Sequence, residues 1–355
     1  MNTVTGMIML LVLLLIAGLV ALSNYFYKIA VKRTHGKPNL YNVADVLGEE
    51  LVEEEYRGYI APDVTSWLNR QPIKRVTIRA QDGLRLNAYY IPAPKPSRMA
   101  VILAHGYSFD ALTNMSALAK MFQEQFGCHL LLPDARGHGQ SEGHYVGFGW
   151  HERMDMLRWI DWTIGKIGQD ADILLFGISM GGATMLMTSG EQLPEQVKGI
   201  ISDCAYTSAW DILAFQLKKI YNLPAFPFIP ATSLICRLRA GYWFGEASAL
   251  KQVRQAKRPI LFIHGQNDNF VPTEMVNRLY ENCAAPKEKW IVPDAGHALS
   301  YFTDREGYIE RVGQFIEKYV TKEEPAYPVE TVYQPETLYP PSVEPVYPVG
   351  VPSES

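Results

Sequence analysis

Cysteine is scarce in this chain of 355 residues, and charge of either sign is not in excess. The four cysteines form no CxxC pair, which excludes a disulfide-bonded mini-protein and favours reduced, packed thiols. The 33 basic and 37 acidic side chains leave a net charge of −4, which argues against nucleic-acid binding because such domains normally carry a basic stripe. The length allows one large domain or two modest ones.

Charged side chains are missing altogether from residues 1–27. The run Gly6–Ser23 is almost wholly apolar, and about 20 helical residues cross a hydrocarbon core of roughly 30 Å. Tyr25–Tyr27, followed by basic residues, is typical of the interfacial end of such a helix. We therefore predict a single-pass membrane anchor over 1–27.

The rival interpretation of this segment is a cleaved signal peptide. Ala21-Leu22-Ser23 offers a marginal cleavage site, but the positively charged start of a signal peptide is missing. A buried soluble helix fits poorly because the run has no polar face. Basic residues that occur only after the apolar run favour a cytoplasmic folded domain.

Two further segments lack the patterning of a packed domain. Residues 28–71 are a charged connector, with a glutamate cluster on a predicted helix. Residues 321–355 contain eight prolines and four tyrosines, and we predict that they form a disordered tail. The tail is either a solvated extension or a polyproline-type ligand for an unidentified partner.

Residues 72–320 alternate between strand and helix patterns. A β-hairpin comes first, and short apolar strands then alternate with amphipathic helices, which predicts an α/β domain with a mostly parallel sheet and helices on both faces. The predicted strands are 74–80, 84–91, 99–104, 129–132, 172–176, 197–202, 259–264 and 289–292, and the predicted helices are 112–126, 150–164, 181–190, 210–220 and 308–320.

One stretch, about 206–255, breaks this alternation and is too long for an ordinary connection. We predict a small helical cap there. Its aromatic side chains serve either as core beneath the cap or as the wall of an acyl-binding cleft.

The strongest chemical signal is Gly177-Ile178-Ser179-Met180-Gly181, a GxSxG pattern between a predicted strand and a predicted helix. Such a sharp strand-to-helix turn exposes the serine hydroxyl, and glycines are needed where the backbones nearly touch. Ser179 is therefore the predicted nucleophile.

A serine hydroxyl needs a base to take its proton and an acid to orient that base. His297 follows the last predicted strand and is the predicted base. Asp268 follows strand 259–264 and is the predicted acid, in the order Ser…Asp…His, while Asp203 is the alternative. The N–H groups of Met180 and of Tyr107, in the loop after strand 99–104, are the predicted oxyanion donors.

The other histidines have structural explanations. His105 heads the oxyanion turn, and His138 and His264 are expected to hold loops by hydrogen bonds. His144 and His151 are expected on surface loops. No histidine pair shows metal-ligand spacing with a nearby carboxylate, so a metal site is not expected.

Four motifs together resemble the α/β-hydrolase superfamily, in the branch of serine-aminopeptidase-like and BEM46-like hydrolases. They are HGYS at 105–108, DARGHGQSEG at 134–143, GISMGG at 177–182, and HGQNDNFVP with DAGHA at 264–272 and 294–298. The resemblance covers about residues 75–320 and implies a Ser-His-Asp triad without a cofactor. It does not imply one substrate, because this fold hosts many hydrolases.

The predicted function is that of a membrane-tethered serine hydrolase acting on small-molecule, ester-type acyl substrates. An aminopeptidase is the alternative, and it would need an acidic group for the substrate amine. Asp211 and Glu246 are available, among basic neighbours. A non-catalytic membrane scaffold is the third hypothesis, and an ordered triad argues against it.

Overall fold

The computed structural model describes residues 3–33 and 61–321. The chain divides into two units, Met1–Thr321 and Lys322–Ser355, and all described residues lie in the first. The predicted tail, apart from Thr321, and the predicted glutamate-rich helix of the connector both lie outside the described residues.

Eight strands and eleven α-helices are found in the described ranges. The strands are β1 Lys74–Arg79, β2 Arg85–Ile91, β3 Met99–Ala104, β4 His129–Pro133, β5 Asp172–Ile178, β6 Val197–Asp203, β7 Ile260–Gly265 and β8 Lys287–Val292. The helices are α1 Thr3–Ala30, α2 Pro62–Asn69, α3 Ala111–Phe126, α4 Glu152–Ile167, α5 Met180–Thr188, α6 Ala209–Tyr221, α7 Ala225–Ala240, α8 Ala249–Gln252, α9 Glu274–Asn282, α10 Ser300–Thr303 and α11 Arg305–Tyr319.

The strands form one sheet in the order β1-β2-β4-β3-β5-β6-β7-β8. β2 pairs antiparallel with β1 and β4, and the remaining pairs are parallel. Ala104 of β3 pairs with Gly177 of β5, and Ile178 pairs with Asp203 of β6. The carboxyl ends of the central strands therefore meet at one edge, where open α/β sheets bind their ligands.

Apolar layers cover both faces of the sheet. One layer contains α4, α5, α9 and the cap helices, with buried side chains such as Trp159 and Phe262. The other contains α2, α3, α10 and α11, with buried Phe122 and Phe315. The predicted fold class is confirmed, and the cap consists of α6, α7 and α8.

Helix α1 has two distinct parts. Most of its large apolar side chains between Val4 and Val20 are exposed, and the helix is long and apolar enough to cross a membrane. Its last turns are instead buried, with Phe26 at 7% and Tyr27 at 5% exposure. The chain then pairs with the loop after β4, where Val146 N donates to Val31 O at 2.8 Å. The end of α1 thus belongs to the folded domain.

The domain also begins earlier than the predicted residue 72. Helix α2 lies within the predicted connector, and its Val64 and Trp67 are buried at 2% and 4% exposure. The apolar pair lies on one helix face, which packs into the same core layer as α3. Helix α9 was not predicted either, because only three of its side chains are buried.

Candidate active site

Ser179 lies at the turn between β5 and α5. Its backbone has φ 53° and ψ −115°, a strained conformation, and the residue is buried at 6% exposure. A side-chain carbon on Gly177 would lie 2.3 Å from the carbonyl of Gly181, and one on Gly181 would lie 2.0 Å from the carbonyl oxygen of Ala104. Only glycine fits at these two positions, and the turn has the geometry of a nucleophile elbow.

Three predicted side chains, distant in sequence, meet at this edge of the sheet. Ser179 Oγ lies 3.0 Å from His297 Nε2, and His297 Nδ1 lies 2.8 Å from Asp268 Oδ2. Because Nδ1 donates to the carboxylate, Nε2 is left to accept the proton of the serine hydroxyl. This hydrogen-bonded series is the arrangement that activates serine nucleophiles.

Asp268 is almost completely surrounded by donors. Its Oδ1 accepts from the N–H groups of Phe270 at 2.9 Å and Val271 at 2.8 Å, and His264 Nε2 lies 3.2 Å from Oδ2. Burial opposes ionisation, but the charge of His297 and the hydrogen bonds of both histidines outweigh it and hold the pKa of Asp268 well below its usual range. The carboxylate is therefore ionised at neutral pH.

The same ion pair, which lowers the pKa of Asp268, raises the pKa of His297. Burial favours the neutral imidazole, but the Asp268 carboxylate stabilises the imidazolium more strongly and raises the pKa of His297 above its ordinary value. The ring of Phe270 lies 4.8 Å from the imidazole ring and shields it.

Cys204 lies beside this pair and completes a set of possible metal ligands. One ligand atom from each of Cys204, Asp268 and His297 lies within 4.8 Å of the others. A metal ion there would replace hydrogen bonds that His297 already makes. Burial also raises the pKa of the Cys204 thiol to about 12, so the thiol is neutral and a weak ligand. The donor set fits a hydrogen-bonded triad better than a metal centre.

Asp203, the alternative acid, is engaged elsewhere. Its carboxylate accepts from Ser300 Oγ at 3.1 Å and Tyr308 Oη at 3.0 Å, and burial raises its pKa against these hydrogen bonds. Its backbone carbonyl accepts from Ser179 N at 2.8 Å. The carboxylate that hydrogen-bonds to His297 is that of Asp268, and Asp203 supports the elbow.

The loop after β3 lies directly beside the serine. A side-chain carbon on Gly106 would lie 3.8 Å from Ser179 Cβ, and Gly106 N donates to Asn114 Oδ1 at 2.7 Å. Tyr107 follows in this loop, and Met180 begins α5. The backbone of both predicted oxyanion donors is therefore next to Ser179.

His105 and His138 tie this loop to residues 134–143. His105 Nδ1 donates to Gly106 O at 2.7 Å, and its Nε2 accepts from Ala135 N at 3.0 Å. His138 Nε2 accepts from Ser108 N at 3.3 Å. His264 donates to Val271 O at 2.8 Å, so both residues predicted to hold loops do so. His144 is exposed, whereas His151 is only half-buried and contacts Tyr145.

Sequence reasoning missed three supporting residues. Asn114, Cys204 and Phe270 carry the contacts described above; Asn114 and Cys204 lie outside the four motifs, and Phe270 lies within the motif at 264–272 but was given no role. Asn114 gave the one usable signal, because it is a polar residue on the buried face of α3. Cys204 was interpreted only as one of four packed thiols, and all four are indeed buried and free.

Comparisons with known proteins identify the family and the fold. Residues 100–235 match the family model described as alpha/beta hydrolase fold. The protein YqkD of Bacillus subtilis is 30% identical over 66% of this chain and 76% of its own length. Protein bem46 of Schizosaccharomyces pombe is 22% identical over 68% of this chain and 76% of its own length.

The chain belongs to the α/β-hydrolase family, in its BEM46-like branch. The membrane protein YNL320W of Saccharomyces cerevisiae is another relative of this α/β hydrolase, 24% identical over 69% of this chain and 80% of its own length. Among solved structures, the esterase Pf2001 of Pyrococcus furiosus aligns with a TM-score of 0.58 and 23% identity, over 73% of this chain and 95% of the esterase. An acylaminoacyl peptidase of Pyrococcus horikoshii aligns with a TM-score of 0.53 and 18% identity, over 75% of this chain and 45% of the peptidase. Both likenesses are of fold.

Proposed function

We propose that this α/β hydrolase is a membrane-anchored serine hydrolase that cleaves carboxylic ester-type acyl substrates through an acyl-enzyme. One observation carries the proposal: the hydrogen bonds from Ser179 Oγ to His297 Nε2 and from His297 Nδ1 to Asp268, at 3.0 and 2.8 Å. An ionised, fully hydrogen-bonded carboxylate at the end of this series is suited to stabilise the imidazolium.

In the proposed mechanism, Ser179 Oγ attacks the substrate carbonyl while His297 takes its proton. The backbone N–H groups of Met180 and Tyr107 donate to the oxyanion as it forms. His297 then gives the proton to the leaving alkoxide, and the alcohol departs. Water, deprotonated by His297, attacks the acyl-enzyme and releases the carboxylic acid.

The exposed apolar part of α1 supports membrane anchoring. It has the length and composition of a span, and a yeast relative is called a membrane protein. A cytoplasmic location of the domain stays a prediction from the basic flank. A reporter fused after Val320 and tested for protease protection in sealed vesicles would decide the side.

An ester substrate is favoured over a peptide because the candidate acidic groups are used within the protein. Asp211 lies 3.5 Å from Arg278, and Glu246 Oε2 accepts from Trp243 N at 2.7 Å. Holding a peptide amine would require one of these carboxylates to be released.

The test uses the full chain in detergent, p-nitrophenyl esters and a fluorophosphonate probe. We expect hydrolysis and probe labelling, and a loss of both in Ser179→Ala by a factor of at least about 10³. Ser202→Ala is the matched control, because Ser202 is a buried serine at the adjacent strand end, and it should retain activity. Wild-type labelling and turnover in Ser179→Ala would overturn the proposal, and preference for an aminoacyl amide over an ester of equal size would assign a peptidase.

A further inference from the structure

An apolar cavity lies between the end of α1 and the cap. It has a volume of about 100 Å³ and is lined by Phe26, Ile29 and Ala30 of α1 and by side chains of α6 and α7. Two lining side chains at the end of α6, Ile220 and Tyr221, are 42% and 39% exposed. The cavity therefore reaches the surface beside the membrane helix.

Two buried polar atoms in this cavity lack a partner among the described residues. They are Gln216 Oε1 and Thr232 Oγ1, and their residues are 9% and 3% exposed. Buried acceptors and hydroxyls are normally hydrogen-bonded, because leaving one unpaired in the protein interior is unfavourable. Unpaired polar atoms in an otherwise apolar space indicate that a ligand with a polar group among carbon atoms occupies it.

On two sides, residues that line the cavity are hydrogen-bonded to residues next to the candidate triad. Gln216 Nε2 donates to Phe270 O at 2.7 Å, and the Phe270 ring is the one that lies against His297. On the other side, Tyr107 Oη donates to the carbonyl oxygen of Ala30 at 3.0 Å. These two hydrogen bonds connect the walls of the cavity to residues of the candidate active site.

The surface around the cavity mouth is apolar and basic. Phe226, Leu234 and Leu238 of α7 are 77%, 48% and 77% exposed. Arg239, on the same helix, donates to Asn24 Oδ1 of α1 at 2.7 Å. Exposed apolar residues next to a membrane helix, with a cation among them, are typical of a surface that lies in the interface of a bilayer.

We propose that this cavity is the acyl-chain site of the enzyme and that its substrate is a lipid ester which enters from the bilayer between α1 and the cap. The inference rests on the proposed function, because it names the substrate class of that site. Helix α1 then forms one wall of the substrate site as well as the anchor. The apolar lining accommodates the chain, and Gln216 and Thr232 hydrogen-bond a second polar group of the lipid, apart from the ester that Ser179 attacks.

The kinetic test compares a decanoyl with an acetyl p-nitrophenyl ester on the full-length protein in phospholipid vesicles. Wild type should prefer the decanoyl ester. Leu213→Trp, which fills the cavity from α6, should reduce kcat/KM for the decanoyl ester at least about tenfold and leave the acetyl ester nearly unchanged. Glu317→Trp, at an exposed position of α11 on the opposite side of the sheet, is the control and should keep the preference. Thr232→Leu is the second cavity variant if Leu213→Trp does not fold.

A binding test works without turnover. Ser179→Ala protein in vesicles is irradiated with a diazirine-labelled palmitoyl ester, and the cross-linked peptides are mapped. Adducts on residues 213–232 that disappear in the Ser179→Ala, Leu213→Trp double variant support the site, even if the ester is not the turnover substrate. Adducts confined to residues 4–20, or an unchanged chain-length preference in both cavity variants, would overturn it. Absence of hydrolysis in wild type with adducts at 213–232 would refute only the proposed function.

Discussion

Tyr107 Oη lies 3.0 Å from the carbonyl oxygen of Ala30, so the candidate oxyanion loop is hydrogen-bonded to the last residue of the apolar helix. The Ile29 carbonyl lies 3.2 Å from the same hydroxyl. The final carbonyls of a helix have no partner within it, and Tyr107 satisfies two of them. Burial raises the pKa of Tyr107 to about 12, which keeps the hydroxyl protonated as a donor. The end of α1 and the loop beside Ser179 are therefore held together by the Tyr107 hydroxyl.

Tyr107→Phe should remove the hydrogen bonds between this loop and the end of α1 and keep the aromatic ring. We expect a loss of about 1 kcal/mol in unfolding free energy, because the two half-buried carbonyls of Ile29 and Ala30 lose their donor. A fall in kcat for a soluble ester of a few-fold should accompany it if the loop carries an oxyanion donor. Thermal unfolding and steady-state kinetics measure the two effects. Tyr280→Phe, at a half-buried tyrosine of α9 that contacts Phe262 through its ring, is the control and should change neither. An unchanged melting temperature in Tyr107→Phe would contradict the expectation.

Exchange of the carboxylates separates the two candidate acids. Asp268→Asn should lower kcat by about 10³–10⁴-fold, because the amide cannot stabilise the imidazolium and favours the wrong tautomer. Asp203→Asn should cost stability, since two buried hydroxyls donate to it, but should retain most of kcat. Initial rates and urea unfolding of both variants provide the comparison. A larger loss of kcat in Asp203→Asn than in Asp268→Asn would reverse the assignment.

The raised pKa of His297 determines the sign of the pH dependence. The base must be neutral to accept the proton from Ser179, so kcat/KM should fall as the pH decreases through the pKa of His297. Because Asp268 raises that pKa, the acidic limb should lie above the ordinary histidine value of about 6.5. In Asp268→Asn the remaining activity should show its limb at lower pH. A pH–rate profile with the same midpoint in both proteins would argue against the pairing.

The sequence predicted the parts of this fold in which one local pattern has one structural outcome. The apolar strand before Ser179 and the glycines after it specify an elbow, because only glycine permits the close approach of β3, β5 and α5. The placement of Asp268 was less certain, because two aspartates follow adjacent parallel strands. Asp268 and Asp203 differ in their hydrogen-bond partners. These partners lie far away in the sequence, so a local pattern does not reveal them.

The largest departure concerns residues whose role depends on tertiary packing. Phe26 and Tyr27 fall within the predicted apolar anchor, since hydropathy alone does not distinguish a lipid-facing turn from one that packs on a cap. The sequence does not predict helix α2 as part of the domain, because only two of its side chains, Val64 and Trp67, are buried. Asn114 was hidden in an amphipathic helix, where its contact with Gly106 depends on the position of another loop.

Gly181 provides the most direct test of the close backbone contact between α5 and β3 at the turn that carries Ser179. A methyl group there would lie 2.0 Å from the carbonyl oxygen of Ala104, which belongs to the backbone of β3 and has no room to move. Gly181→Ala should therefore destabilise the protein by several kcal/mol or prevent folding, in line with overpacking of a rigid site. Gly165→Ala is the matched control, because a side-chain carbon on this exposed residue of α4 meets nothing within 4 Å. That change should stabilise the helix by about 0.5–1 kcal/mol. Equal melting temperatures for the two variants would show that β3 and α5 do not approach as closely as described.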